Sequence, residues 1–151
     1  MKIGMRVTEV YLDTSALIKL YVAEAFSAEV ERLVAEVDGL VISRLSMLEW
    51  HCAMARRLRT GQVTDDYLNL ARTEFTRHLA EGYFRIVPFD DTLLIDALRV
   101  LDSTQPVPLR TLDAIHLTAA RNAGVTRIAT ADRVMADAAN KLNLAADTFF
   151  V

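Results

Sequence analysis

Cysteine, proline and glycine are all scarce in this 151-residue chain. The one cysteine, Cys52, excludes an internal disulfide and a cysteine-built zinc site, and it is expected as a buried, reduced thiol. The five glycines stand singly, at Gly4, Gly39, Gly61, Gly82 and Gly124. Neither a phosphate-cradling P-loop nor a dinucleotide fingerprint is therefore present, because each needs clustered glycines. The last four glycines follow helical patterns and read as helix stops. No stretch free of Asp, Glu, Lys and Arg exceeds seven residues, too short for a membrane-spanning helix. Met1 to Val10 carries Lys2, Arg6 and Glu9 without an apolar run, so it does not read as a secretory signal. Excess positive charge is missing too. A net charge of −3 excludes a simple basic nucleic-acid coat. It does not exclude an enzyme that keeps acids in its site and bases around it. These absences lead to the expectation of a cytoplasmic protein with no membrane attachment.

The remainder is ordinary globular material, 52% hydrophobic and 25% charged, which fits one domain over residues 1–151. Short apolar runs alternate with helical patterns. Strands are predicted at Val7–Leu12, Leu40–Ser43, Phe84–Phe89 and Arg127–Thr130, with a further one at Thr148–Val151. Helices are predicted from about Ser15, from Ser27 (as a cap), Ser46, Thr64, Asp91 and Thr111, and over Asp132–Leu142. The sixth is apolar almost all round from Ala114 to Ala120, which predicts deep burial. Strands separated by helices indicate an α/β fold with a parallel sheet.

In such folds ligands sit beyond the carboxyl ends of the strands, where the topology switches. Four acids fall near that edge. Asp13 follows the first strand. Glu49 is expected in the first turn of the helix from Ser46. Asp113 opens the sixth helix, and Asp132 follows the fourth strand. Each has an ordinary structural use. Asp13 and Asp132 suit helix starts, Ser46 to Glu49 has the form of a capping box, and Asp113 complements the helix dipole. Three of them also abut apolar segments. Carboxylates converging in a partly dry site repel unless a cation compensates. An oxygen-only donor set without paired His or Cys suits a hard ion, Mg²⁺ or Mn²⁺. Acids with a metal and no covalent nucleophile suit phosphodiester hydrolysis.

Asp13-Thr14-Ser15-Ala16-Leu17, Leu48-Glu49, Leu112-Asp113-Ala114-Ile115-His116-Leu117 and Thr130-Ala131-Asp132, in this order, resemble the PIN domain. More narrowly they resemble the VapC-type toxins of toxin–antitoxin pairs. The resemblance implies a three-layer α/β/α sandwich around a parallel sheet of four to five strands. It implies a Mg²⁺-dependent endoribonuclease leaving 5′-phosphate and 3′-hydroxyl ends, with Mn²⁺ as a possible substitute. By position, Asp13, Glu49, Asp113 and Asp132 would form the catalytic cluster, with Asp13, Asp113 and Asp132 as metal ligands. Thr14, Ser15 and Thr130 would be their hydroxyl neighbours. The resemblance also implies an RNA substrate, a homodimer and a small antitoxin. That partner would insert a cationic side chain into the acidic site, its apolar helix lying among the helices from Ser46 and Thr64.

His116 shares a helix face with Asp113 and is expected to orient it. Arg44 and Arg110 lie nearest the acids and are candidates for holding substrate phosphate. Met47, Met54, Tyr67 and Phe75 are assigned to core packing. Asp137, a helical turn past Asp132, reads as solvated surface. Two alternatives remain open: a housekeeping nuclease with the same fold and no antitoxin, and a catalytically silent binding module.

Overall fold

β-Branched and aromatic residues form the centre of the sheet. In the computed structural model, which describes residues 6–151, strand β1 (Glu9–Leu12) lies between β2 (Gly39–Ser43) and β4 (Arg127–Thr130). The outer strands are β3 (Phe84–Val87) and β5 (Ala145–Thr148), giving the order β3-β2-β1-β4-β5 with every pair parallel. Alternate side chains point to opposite faces. Val10, Leu12 and Ile42 enter one core, and Tyr11, Val41 and Ile128 enter the other. Four helices supply the first core: α1 (Thr14–Leu17), α2 (Ser27–Glu36), α3 (Arg44–Arg59) and α4 (Asp65–Ala80). The second is built from α5 (Asp91–Ser103), α6 (Thr111–Asn122) and α7 (Arg133–Lys141). The result is the expected three-layer α/β/α sandwich. The chain runs from β1 outward through β2 to β3, then returns to β4 on the other side of β1. The switch point therefore lies at the carboxyl ends of β1 and β4.

Several local expectations change. Residues 1–5, on which the reading of the N-terminus partly rests, lie outside the described residues. The first helix is one α-turn continued by a 3-10 turn at Ile18–Leu20. Ser27 begins α2 rather than capping it, and its hydroxyl donates to the Val22 carbonyl while accepting from the Glu24 N–H. Gly39 starts β2, and α2 has already ended at Glu36. The last strand comes earlier than expected, because Ala145–Thr148 is the segment in register with Arg127–Thr130. The Ser46–Glu49 capping box does not form. Ser43 caps α3 by accepting from the Leu45 N–H, so Glu49 falls in the second turn and Ser46 is buried. Cys52 is exposed, not buried. Trp50 and Met54, four residues apart, take the core face of α3 and turn position 52 outward. Phe75 joins Met54 in the core, whereas Tyr67 is partly exposed and donates to the Tyr21 carbonyl.

A half-buried ion network ties the loop after the 3-10 turn to α3. Glu24 accepts from Lys19 Nζ at 3.0 Å and from Arg57 at 2.9 Å. Burial alone would raise the Glu24 carboxyl, but the bonds from Arg57 and Lys19, with their charges, hold it below its usual range. A carboxyl depressed by folding adds stability above its unfolded pKa and loses it as pH falls through the folded value. Glu24→Gln is thus expected to lower Tm by about 3–6 °C at pH 7, from about 1–2 kcal/mol. The gap to the parent should close as pH drops below the carboxylate range. A thermal melt at both pH values checks this, and a gap that persists in acid would assign the loss to packing.

Candidate active site

The end of β1 sets the first acid. Asp13 caps α1, its Oδ1 accepting from the Ala16 N–H at 3.0 Å and from the Ser15 hydroxyl at 2.6 Å. Its Oδ2 accepts from Thr130 Oγ1 at the end of β4. The residue is 3% exposed, and every bond to it comes from a neutral donor. Burial pushes the carboxyl up, against a smaller opposing effect of His116 and the hydroxyl bonds. The two hydroxyls also fasten the neighbouring loop. Ser15 Oγ accepts from the Ala131 N–H, and Thr130 Oγ1 accepts from the Asp132 N–H.

Asp132 caps α7, with Oδ1 accepting from the Val134 and Met135 N–H groups. Asp113 lies in the first turn of α6, and its Oδ2 accepts from the Arg110 N–H at 3.2 Å. Three of the four acids serve helix N-termini, whose dipoles and free N–H groups stabilise negative charge there. Thr130 Oγ1 links two of these acids, donating to Asp13 Oδ2 and accepting from the Asp132 N–H.

Arg110 joins them. Its guanidinium donates to Asp113 Oδ2 at 3.1 Å and to Asp132 Oδ2 at 3.4 Å, and its charge also acts on Glu49. The Arg110 side chain is 76% exposed whereas Asp113 is nearly buried, so an exposed cation covers a buried carboxylate. Arg44, by contrast, is exposed with its guanidinium against Met47 Sδ, and none of its hydrogen bonds reaches the four acids.

Glu49 reaches the site from α3. Its Oε1 accepts from Thr14 Oγ1 at 2.7 Å and from His116 Nε2. Burial would raise this carboxyl, but the His116 and Thr14 bonds with the nearby positive charge bring it below its usual range. His116 therefore orients Glu49 rather than Asp113. The reason is geometric: α6 packs its buried face on the sheet, which turns the ring toward β1 and α3. Tyr11 completes this arrangement with its hydroxyl 2.7 Å from His116 Nδ1. Sequence reasoning missed Tyr11. The available signal was a hydroxyl-bearing ring between Val10 and Leu12 in a buried strand, two residues from Asp13.

The donor set suits a hard divalent ion. All four acids offer oxygen, and Asp13 is a buried carboxylate with no cation bonded to it. Arg110 supplies the positive charge that Asp113 and Asp132 attract. Among the described residues, no three His, Cys, Asp or Glu side chains stand close enough to share one ion as the site is arranged here. Convergence on an ion would require the Arg110 side chain to swing out.

The PIN domain family model matches residues 10–141, nearly the whole described chain. The chain belongs to the PIN-domain family. It is 37% identical over 141 residues to ribonuclease VapC46 of Mycobacterium tuberculosis, covering 90% of this chain and 94% of that protein. It is 32% identical over 115 residues to ribonuclease VapC47 of the same species, covering 74% of each. Among solved structures, FitAcB from Neisseria gonorrhoeae superposes with a TM-score of 0.69 at 17% identity, covering 91% of this chain and 95% of that one. The sarcin–ricin-loop-cleaving toxin VapC20 of M. tuberculosis superposes at 0.65 and 17% identity, covering 85% and 94%. These likenesses place the three-layer sandwich within the PIN fold. Among the described residues of this PIN-domain chain, no helix is long and apolar enough to cross a membrane.

Proposed function

We propose that this PIN-domain chain is a metal-dependent endoribonuclease acting as the toxin of a toxin–antitoxin pair. Asp13 carries the reading: a buried carboxylate without a bonded cation, at the switch point, with Asp113 and Asp132 held by one exposed guanidinium nearby. Similarity to the VapC ribonucleases supports the substrate class. Asp13, Asp113 and Asp132 would hold Mg²⁺, or Mn²⁺ in its place. Bound there, the ion would supply Lewis-acid charge to activate water and to neutralise the departing 3′ oxygen.

The chain's own residues prepare that chemistry. Ser15 and Thr130 fix both oxygens of Asp13. Thr14 and His116 hold Glu49 ionised at the mouth, where it completes the cluster and can accept a proton. Arg110 leaves its carboxylates to hold an RNA phosphate, a task that suits a planar guanidinium. Arg44, at the start of α3, takes a neighbouring phosphate. The antitoxin silences the site by inserting a cationic side chain between the carboxylates. Arg110 already makes contacts of that kind with Asp113 and Asp132. The whole chain works as one domain, in the cytoplasm, as a homodimer.

Product ends test the reaction. Single-stranded RNA incubated with the purified chain and Mg²⁺ is expected to yield 5′-phosphate and 3′-hydroxyl termini. Cyclic 2′,3′-phosphate ends would overturn the proposal, because they arise from attack by the ribose hydroxyl rather than by water.

A further inference from the structure

Tyr11 lies wholly buried in the central strand, two residues before Asp13. Its ring meets His116 edge-on at a centroid distance of 5.8 Å, and its hydroxyl faces Nδ1 at 2.7 Å. The Ser43 and Ser46 hydroxyls stand beside the phenol. Ser46 Oγ has no hydrogen-bond partner, and Ser43 Oγ accepts from the Leu45 N–H. Across the imidazole, Nε2 meets Glu49 Oε1, which Thr14 also holds. A continuous path thus runs from β1 through α6 to an acid on α3.

The donors and acceptors on this path allow one assignment for a neutral imidazole. Glu49 is an ionised carboxylate and only accepts, so Nε2 must carry a proton. Nδ1 is then bare and needs a donor. Among the described residues, the Tyr11 hydroxyl is the group bonded to it. A phenol in its ordinary protonated form is such a donor. A hydrogen bond made by one ring nitrogen sets what the other can do. We propose that Tyr11 is a positioning residue for the acidic site, acting through His116 to fix the Glu49 carboxylate. Strand β1 then places two acids, Asp13 directly and Glu49 through two side chains. Without the phenolic hydroxyl, a buried Nδ1 would be left unpaired, at a cost that favours ring rotation or the other tautomer.

The inference rests on the nuclease reading of the four acids only for its effect on rate. Its structural part is tested on the full chain by ¹⁵N NMR of the histidine rings, with His116→Gln assigning the His116 signals. The parent is expected to show His116 protonated at Nε2, with Nδ1 shifted as an acceptor. Tyr11→Phe keeps the ring and removes the donor. It should move the Nδ1 signal and lower kcat on RNA about 10–100-fold, the usual range for loss of a group that orients a ligand. KM should stay within about twofold. A parent His116 protonated at Nδ1 overturns the proposal without any variant, as does a Tyr11→Phe protein with an unchanged ring signal. An altered ring signal with unchanged kcat would overturn the functional role of Tyr11. A parent that cleaves no RNA would fail the nuclease reading, while the ring signals still decide the path from Tyr11 to Glu49.

Discussion

Asp13→Asn is expected to lower RNA cleavage by about 10³-fold while raising Tm by a few degrees. Loss of a ligand that holds the ion forfeits several kcal/mol of charge stabilisation in the transition state, and each 1.36 kcal/mol is a factor of ten. The gain in stability has a separate cause. Asp13 is buried, its partners Ala16, Ser15 and Thr130 are neutral, and burial pushes its carboxyl up. Asn retains an oxygen for the α1 cap and removes the desolvated charge. The Thr130 hydroxyl can turn to accept from the new amide. Relief of such a charge in a functional site commonly stabilises, and here about 1 kcal/mol is expected. Cleavage assays and thermal melts of the metal-free proteins check both halves. A variant that loses cleavage and also melts well below the parent would make Asp13 chiefly a cap.

Chelation is expected to have an equally large effect. EDTA should abolish cleavage of single-stranded RNA, and added Mg²⁺ or Mn²⁺ should restore it. Zn²⁺ should restore it poorly, because the site offers no Cys or paired-His ligands. Arg110 sharpens this expectation. Its guanidinium bonds both Asp113 and Asp132, so a cation entering between these carboxylates must displace it. The guanidinium itself is solvent-exposed and can leave to water, while Asp113 is nearly buried and gains a replacement cation in the incoming ion. Full cleavage in chelator, from a preparation free of other nucleases, would contradict the account.

The strands and most helices were legible because their patterns are strong. The continuous apolar run of β1, buried on both faces from Val10 to Leu12, and the all-round apolar surface of α6 each admit one reading. Boundaries failed where two residues compete for the same local job. Ser43 and Ser46 can each cap a helix, and the Ser43 hydroxyl takes the Leu45 N–H first, which moves Glu49 into the second turn. Cys52 was misplaced because residue type alone favours burial, whereas the spacing of Trp50 and Met54 decides the face. The positions of Asp13, Asp113 and Asp132 at element junctions were legible, whereas Glu49 was expected one turn too early because α3 starts at Arg44. The partners of these acids were not legible, because Tyr11 and His116 lie 105 residues apart and the order of the strands brings them together. The dual bond of Arg110 is likewise a product of the β1–β4 switch point, which local sequence does not encode.

The central claim is that Asp13, Asp113 and Asp132 together hold a divalent ion. Mn²⁺ binding to the purified full chain, read by electron paramagnetic resonance, tests it most directly and without reference to activity. The parent is expected to bind Mn²⁺ saturably and to release it to excess Mg²⁺. Asp13→Asn and Asp113→Asn should each weaken that binding at least tenfold, with both variants still folded. Equal Mn²⁺ binding by the parent and both variants would contradict the claim.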